Sequence, residues 1–432
     1  VRIPLSVGGS LAMKGTLCTL ALLTLLSLSA NASTSSQPVA VYTFICTTQG
    51  FQGEGPCPQG GRPGTLILGS DGNFYGAAQD TSEGSSTPSG GTVFSVTPAG
   101  KFTLLHSFPA GANKNYPTGN LPGSLRQGPD GKLYGDTLYG GIDGCNGYCG
   151  FGVLYRVNTN GTGFQLIHKL CSQTNCRDGY GVYGKMVLGT DGNLYGTSSG
   201  GGTSASCVDG CGTIFRITPS TGAYKVVFSF DYRTTGDTPS GLVVGSDGTF
   251  YGIAFNTTGE LLFHYNEATG ALTTTVLNFP LFNGLPASGS GLTIGPNGNF
   301  YGLYGIYGQS GEGVFEVDTD GSNLTLFPFY TTQNGAGTPD GLFLATDGTF
   351  WMADFNGATG YGDIIQLSPT DGSLMQTLTP FGATAPVGSY PAGIFQDSSG
   401  VFWGSTYGGG NASHGHFADG TVWNLNEGLP PR

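Results

Sequence analysis

The sequence is poor in charged residues and has no run of basic ones. Only 10% of its 432 residues are charged, and 15 Lys and Arg stand against 27 Asp and Glu. Nucleic acids and anionic membrane surfaces are bound by clustered Lys and Arg, so neither is an expected partner. The one long apolar run, residues 17–28, is too short to span a bilayer. We therefore expect no membrane insertion once this segment is removed.

The apolar run has the features of an export signal. Met13 and Lys14 precede it, and Ala30-Asn31-Ala32 offers the small residues of a cleavage site. The exported protein would be secreted, periplasmic or held at the cell surface. The expected organisation is an upstream extension with a secretory signal peptide in residues 1–32, a single domain in 39–426, and a short tail in 427–432.

The chain also lacks the short motifs of common enzyme classes. Glycine runs such as 200–202 have neither the Lys-Ser/Thr ending nor the following helix of a phosphate-binding loop. No Gly-x-Ser-x-Gly elbow precedes a helix, and no segment after residue 32 has a helical period. We therefore expect no cofactor and assign no catalytic residue.

Glycine and aromatic residues, by contrast, are abundant and regularly placed. The pattern Asp-Gly-x-aromatic/Leu-aromatic-Gly recurs at intervals of about 50 to 60 residues, which indicates a repeat architecture. The seven copies begin at Asp71, Asp130, Asp191, Asp247, Asn297, Asp347 and Ser399. The last two are altered copies with Trp at the second aromatic position. Because Asp before Gly favours a hairpin turn, we interpret these acids as turn residues rather than as a ligand array.

Each period contains four short segments typical of strands. A Pro-x-Gly-apolar segment precedes the hexapeptide, Gly-Thr-Val-Phe-x-Val follows it, and a fourth segment ends in Phe or Leu. Four antiparallel strands repeated seven times predict an all-β fold, a seven-bladed β-propeller of four-stranded blades. The last period supplies only three segments, so an N-terminal strand at 39–44 is predicted to complete the last blade and close the ring.

This strand order places two kinds of connection at one rim, namely those between second and third strands and those between blades. The eight cysteines after residue 32 fall in these connections as local pairs. The pairs are Cys46/Cys57, Cys145/Cys149, Cys171/Cys176 and Cys207/Cys211. In an exported chain we expect disulfides that brace the rim. The alternative is a four-thiolate zinc site formed by the second and fourth pairs.

The same rim carries the candidate binding residues, which are acids and tyrosines in its loops. They are Asp136, Tyr139, Asp143, Tyr148, Tyr304, Tyr307, Tyr361 and Tyr407. Aromatic rings stack on sugar faces while carboxylates bind hydroxyls, so a glycan is one expected ligand; the tyrosines can also simply cap the loops. Paired acids can serve as general acid and base in glycoside cleavage. His414, His416 and Asp419 are candidate metal ligands, and the alternative is that they are solvent-exposed loop residues.

The combination Gly-Thr-Val-Phe-x-Val-Thr-Pro-x-Gly, Leu-Leu-His-Ser-Phe, Pro-x-Gly-x-Leu and Asp-Gly-Asn-Phe-Tyr-Gly resembles the GloVer (Gloeo/Verruco) tandem-repeat family of exported bacterial proteins. The resemblance covers nearly all of the chain after residue 32. It implies an exported, propeller-like repeat array and brings no catalytic motif.

Together these observations predict an exported, non-catalytic, monomeric propeller. Its disulfide-braced loop face would bind a glycan or a surface protein. The main alternative is a carbohydrate-active enzyme, a polysaccharide hydrolase or lyase that uses loop carboxylates. A quinone-dependent dehydrogenase is a third hypothesis, suggested by the closely spaced cysteines alone.

Overall fold

We analysed a computed structural model in which residues Ser36–Arg432 form one compact unit. The structure describes residues 36–45, 57–79, 90–109, 116–141, 150–182, 184–279, 281–282, 285–306, 312–329, 341–357, 359–382, 384–410 and 420–431. The predicted signal segment therefore lies outside the described residues. Within them, no helix is long and apolar enough to cross a membrane.

The described residues form seven antiparallel sheets in up-and-down order. Blade 1 contains β2 (Ile67–Leu68), β3 (Phe74–Ala78), β4 (Thr92–Val96) and β5 (Phe102–Ser107), and blade 2 contains β6 (Asn120–Gln127), β7 (Leu133–Tyr139), β8 (Val153–Val157) and β9 (Gln165–Lys169). Blade 3 contains β10 (Tyr180–Val182), β11 (Val187–Leu188), β12 (Leu194–Gly200), β13 (Thr213–Thr218) and β14 (Ala223–Ser229). Blade 4 contains β15 (Val243–Val244), β16 (Phe250–Asn256), β17 (Gly259–Asn266) and β18 (Ala271–Leu277). In blade 3, β10 and β11 both pair with β12. A 3-10 turn, Thr174–Cys176, lies between blades 2 and 3.

Blades 5 to 7 complete the ring. Blade 5 contains β19 (Leu281–Phe282), β20 (Leu285–Ile294), β21 (Phe300–Ile306), β22 (Glu312–Val317) and β23 (Thr325–Phe329). Blade 6 contains β24 (Phe343–Leu344), β25 (Phe350–Asp354), β26 (Asp363–Leu367) and β27 (Leu374–Leu378). Blade 7 contains β28 (Ser389–Gln396), β29 (Phe402–Gly408), β30 (Thr421–Leu425) and β1 (Val39–Thr43). In blade 5 the short strand β19 is additional and pairs with β20.

The N-terminal strand completes blade 7. β1 runs antiparallel to β30, with Val39 opposite Asn424 and Thr43 opposite Thr421. Seven apolar clusters each combine residues of two consecutive blades, including the last and the first. In that closing cluster the ring centroids of Phe74 and Trp403 lie 4.0 Å apart. The chain is therefore a seven-bladed β-propeller.

The hexapeptide forms a turn, as its interpretation from sequence predicts, and its acid also anchors a tyrosine ring. In blade 1 the Asn73 amide donates to Asp71 Oδ1 at 3.1 Å, and the Tyr75 hydroxyl donates to Asp71 Oδ2 at 2.7 Å. The same hydroxyl-to-carboxylate bond recurs in blades 2, 3 and 4 at 2.9, 2.8 and 2.9 Å. Each carboxylate thus fixes both its turn and the polar end of a ring that fills the space between blades.

Blade 7 departs from this arrangement. Its copy of the motif starts at Ser399, but the carboxylate is supplied by Asp397, two residues earlier. Asp397 accepts from the Ser399 amide at 2.8 Å and from Trp403 Nε1 at 2.7 Å. Asp397 has the repeat position of Gly69 in blade 1, since both amides donate to the residue four positions later. The indole of Trp403 is larger than the tyrosine ring of the other blades, and it therefore reaches a carboxylate two residues closer to the N-terminus.

The Pro-x-Gly segment forms a contact between blades that we call the proline latch. A Cβ added to Gly212 would lie 2.5 Å from Cδ of Pro239 in the next blade, so the proline ring fits only against glycine. The residue before the proline, Thr238, is left-handed with φ of 48°, and its amide donates to the Cys211 carbonyl at 3.1 Å. Equivalent glycine–proline contacts are Gly91–Pro122, Gly362–Pro391 and Gly420–Pro63.

Candidate functional site

Five of the eight predicted binding residues lie in the described part of the chain. These are Asp136, Tyr139, Tyr304, Tyr361 and Tyr407. The other predicted residues lie outside the described residues: Asp143, Tyr148, Tyr307, His414, His416 and Asp419. Among the side chains that are described, no three His, Cys, Asp or Glu groups converge as metal ligands.

Four of the five require a correction, because they lie in strands and not in loops. Asp136 and Tyr139 belong to β7, Tyr304 belongs to β21, and Tyr407 belongs to β29. The second strand extends further than predicted in these blades, so that its last residues enter the packing between blades. Asp136 is 4% exposed and Tyr304 is 3% exposed, so neither offers a surface to a ligand. Tyr139 is half-buried.

Asp136 is a buried acid beside the innermost strand of its blade. The Ser124 hydroxyl donates to its Oδ1 at 3.3 Å, and a Cβ on Gly123 would come within 2.5 Å of its Oδ2. Burial raises the pKa of Asp136 to about 7. The carboxyl group therefore fills the room left by a glycine, and its chemistry is that of a desolvated acid.

Tyr361 and Tyr407 are brought together with two rings that the sequence analysis missed. The ring centroids of Phe355 and Tyr390 lie 4.9 Å apart and stack, those of Phe355 and Tyr407 lie 5.9 Å apart, and those of Tyr361 and Tyr390 lie 6.4 Å apart. The Arg62 guanidinium lies over Tyr407, 5.3 Å from its centroid. We call these four rings and Arg62 the aromatic row.

The fold explains why the aromatic row forms between blades 6, 7 and 1. Phe355 and Tyr407 occupy the same repeat position, at the loop-rim end of the second strand. Tyr390 and Arg62 precede latch prolines and have left-handed φ values of 60° and 56°. The Tyr390 amide donates to the Tyr361 carbonyl at 2.7 Å, which holds neighbouring blades in register. All four rings are half-buried, so each keeps an exposed part at the loop rim.

Polar groups flank the aromatic row. The Tyr407 hydroxyl donates to Gln79 Oε1 at 3.3 Å. Asp354, directly before Phe355, is 1% exposed and is paired in register with Asp363 of β26, which is 2% exposed. Burial raises the pKa of Asp354. A buried carboxyl group with a raised pKa therefore lies at the base of the aromatic row.

The predicted disulfides at the rim are confirmed for two local pairs. Cys171 is bonded to Cys176, and Cys207 is bonded to Cys211. Because Cys207 and Cys211 are bonded to each other, they offer no free thiolates, and the zinc alternative is wrong. Cys57 is also disulfide-bonded. The remaining predicted members, Cys46, Cys145 and Cys149, lie outside the described residues.

Two adjoining clefts lie beside these disulfides in blade 3. One, of about 600 Å³, is lined by residues that include Cys176, Cys207 and Asp209. The other, of about 730 Å³, is lined by residues that include His168 and Lys225. Arg177 and Thr203 line both clefts, which therefore meet at these two side chains.

Comparison with known proteins identifies a family and supports the fold. The chain matches the Gloeobacter/Verrucomicrobia repeat over residues 62–284, slightly more than half of its length. No curated protein matches it by sequence. Among solved structures, it is similar to TolB from Acinetobacter baumannii, with 13% identity over 74% of this chain and 63% of that chain and a TM-score of 0.43.

Two enzymes are also among the similar structures. A puromycin hydrolase is 12% identical over 80% of this chain and 50% of its own, with a TM-score of 0.50. An oligogalacturonate lyase in complex with manganese is 12% identical over 90% of this chain and 98% of its own, with a TM-score of 0.49. The present chain thus spans 63% of the TolB chain and half of the hydrolase chain. At such low identity, a likeness of this kind concerns the fold alone.

Proposed function

The chain belongs to the Gloeobacter/Verrucomicrobia repeat family, and from that premise we propose that it is an exported propeller that binds a glycan through its aromatic row. The observation that carries the proposal is the convergence of four half-buried rings from blades 6 and 7 with Arg62 of blade 1. Rings that keep an apolar face and a polar edge at a surface are suited to sugars, which present apolar faces and hydroxyl groups.

The backbone around the row favours binding because it is already ordered. Tyr390 and Arg62 are held by proline latches, and Tyr407 is held in β29 and by its hydrogen bond to Gln79. A preorganised site loses less conformational freedom when a ligand binds, so more of the contact energy contributes to affinity. The Gln79 amide is placed to bind sugar hydroxyl groups beside the rings.

Export is supported by the disulfides and by the sequence of the first 32 residues. Disulfides form and persist in oxidising compartments and are rare in the cytosol. The bonds Cys171–Cys176 and Cys207–Cys211 brace loops of the same rim that carries the aromatic row. An exported protein of this kind would meet glycans and surface proteins as its natural partners.

The test is a glycan screen that compares matched aromatic variants. Tyr407→Ala removes the ring that contacts both Phe355 and Arg62, whereas Phe255→Ala removes a ring that is 46% exposed at the corresponding position of blade 4. We expect wild-type protein and Phe255→Ala to retain the same glycans and Tyr407→Ala to lose them. Retention by all three proteins, or capture of a surface protein and no glycan, would contradict the proposal.

A second candidate function is favoured by Asp354. Its buried carboxyl group has a raised pKa and directly precedes Phe355, so it resembles the general acid of a carbohydrate-active enzyme. The test is to incubate the protein with polysaccharides and measure new reducing ends and unsaturated products. If turnover occurs and Asp354→Asn abolishes it, the protein is an enzyme. If wild type and Asp354→Asn are equally inactive on glycans that the protein binds, this candidate is wrong.

A further inference from the structure

Blade 3 contains a second feature that the aromatic row does not use, the pair of clefts beside its disulfides. One cleft extends from the Cys171–Cys176 loop to the Cys207–Cys211 loop, and the other runs along the outer strand β14. Their volumes of about 600 and 730 Å³ lie within the range of small-molecule sites. The two disulfides hold the loops that form the walls.

Arg177 and Lys225 give these clefts a positive charge that is unusual in this chain. Both side chains are exposed, and neither makes an ion pair or a hydrogen bond with any residue that the structure describes. The sequence holds 27 acidic residues against 15 basic ones, so two neighbouring cleft cations without acidic partners differ from the acidic average of the chain. Two cations that face a cleft without such partners are available for a ligand.

The acid next to Arg177 is turned away from the cleft. Asp178 is 1% exposed, and its carboxylate accepts from the Ser172 hydroxyl at 2.6 Å, the Gln173 amide at 3.1 Å and His168 Nε2 at 2.8 Å. Burial raises the pKa of Asp178, and these hydrogen bonds outweigh burial and lower it below its ordinary value. Asp178 is therefore an anion whose hydrogen bonds order the Cys171–Cys176 loop.

The remaining walls suit a small polar ligand. The His168 ring stacks on Tyr224 with centroids 4.0 Å apart, and the Tyr224 hydroxyl donates to the Asp178 carbonyl at 2.6 Å. Asp209 is the one acid that lines the first cleft, and it lies among the Cys207–Cys211 loop residues. The positive side of the site is therefore the Arg177–Lys225 side, on the cleft along β14.

From this arrangement we propose that the blade 3 clefts bind a small anionic ligand through Arg177 and Lys225, with a carboxylate or phosphate group as the recognised chemistry. Arg presents a planar fork that binds either group by two parallel hydrogen bonds, and Lys adds a point charge. The cleft volumes admit a ligand of one or two sugar rings. This site is separate from the aromatic row and does not depend on glycan binding there.

The experiment is isothermal titration calorimetry at low salt with inorganic phosphate, glucuronate and uncharged glucose as probes. Wild-type protein is compared with Arg177→Gln, Lys225→Gln and Arg233→Gln; Arg233 is an exposed cation of blade 3 outside both clefts, so its variant is a control with the same charge change. Melting temperatures of all four proteins establish that each is folded.

We expect phosphate, glucuronate or both to bind wild type and Arg233→Gln equally, and each cleft variant to weaken binding about tenfold or more. Binding of phosphate alone or of glucuronate alone would support the site and identify the group it recognises. The proposal is overturned if neither anion binds, if glucose binds as tightly as glucuronate, or if Arg177→Gln behaves like Arg233→Gln.

Discussion

At the scale of single residues, the turn acids stabilise the propeller because each accepts hydrogen bonds both from its turn and from a tyrosine hydroxyl. Asp191 accepts from the Asn193 amide at 3.0 Å and from the Tyr195 hydroxyl at 2.8 Å, and Tyr195 is 1% exposed. The sequence analysis predicts the turn role from Asp-Gly, whereas the bond to the tyrosine becomes apparent only when the hairpin is folded. The repeat thus encodes a turn and an anchor in six residues.

We predict that Tyr195→Phe lowers the free energy of unfolding by about 1 kcal/mol, the usual net contribution of one hydrogen bond. Asp191→Ala should cost more, because it also removes the acceptor for the turn amide. Urea denaturation followed by tyrosine and tryptophan fluorescence measures both values. Equal stabilities of wild type and Asp191→Ala would refute the anchor role.

Asp191 and Asp136 should have opposite effects on the pH dependence of stability. Burial raises the pKa of Asp191, but hydrogen bonds from Asn193 and Tyr195 outweigh burial and lower the pKa below 3.8. The contribution of Asp191 to folding stability is therefore present above pH 4 and is lost as the pH falls through the pKa of the folded state. Burial raises the pKa of Asp136 to about 7, which means that the fold favours the protonated acid. The contribution of Asp136 to folding stability is therefore present below pH 4 and is lost as the pH rises through 7.

Accordingly, Asp136→Asn should be more stable than wild type at pH 8 and should lose that advantage at pH 4. The span of the pKa from 3.8 to about 7 corresponds to an upper limit of about 4 kcal/mol. Thermal unfolding at a series of pH values measures the effect. A difference between the two proteins that does not change from pH 4 to 8 would disprove the assignment.

At the scale of structural elements, the proline latch determines how blades join. It accounts for the glycine that opens the third strand, the proline that opens the first strand, and the left-handed residue before that proline. In blades 1 and 4 the latch proline precedes a first strand of only two residues, β2 and β15, whereas in blades 2 and 7 it lies within the eight-residue strands β6 and β28. Proline cannot donate to the strand ladder, so pairing often starts after it.

We predict that Gly212→Ala destabilises the protein by at least 2 kcal/mol. The new methyl group would lie 2.5 Å from Pro239 Cδ, and the backbone at residue 212 has φ of 97°, which is unfavourable for alanine. Gly270→Ala is a control, because Gly270 also has a positive φ of 70° but no atom within 4 Å of the added Cβ. Similar losses for the two variants would show that backbone strain, and not the latch, is the cause.

Sequence reasoning predicted the elements better than the site. Alternating turn signals and aromatic spacing place the strands, because hairpins are local structures. Tyr361 and Tyr407 were also identified, but Phe355, Tyr390 and Arg62 were not. Their convergence depends on left-handed residues and on the contact between neighbouring blades, which linear spacing does not show. Two of the missed residues, Tyr390 and Arg62, can be found from sequence by aligning the residues that directly precede the latch prolines.

At the scale of the whole molecule, the ring depends on the N-terminal strand. β1 covers the outer edge of β30, and Phe44, which is fully buried, donates its amide to the Gly420 carbonyl at 3.0 Å. An uncovered strand edge invites association with other chains. Closure therefore contributes to solubility as well as to stability.

Removal of residues 36–44 should open blade 7 and cause aggregation, which size-exclusion chromatography with light scattering measures. Val39→Ser serves as a control because Val39 is 60% exposed on the same strand, and this variant should behave like wild type. A truncated protein with the wild-type elution volume and melting temperature would show that the strand is dispensable.

The ring also brings residues of blades 6, 7 and 1 together, although Arg62 and Tyr407 lie far apart in the chain. The most direct test of the proposed function is the dissociation constant of the best glycan from the screen, measured by calorimetry for Tyr407→Ala and Phe255→Ala. The proposal predicts at least tenfold weaker binding for Tyr407→Ala and wild-type binding for Phe255→Ala. Equal dissociation constants for the two variants would contradict it.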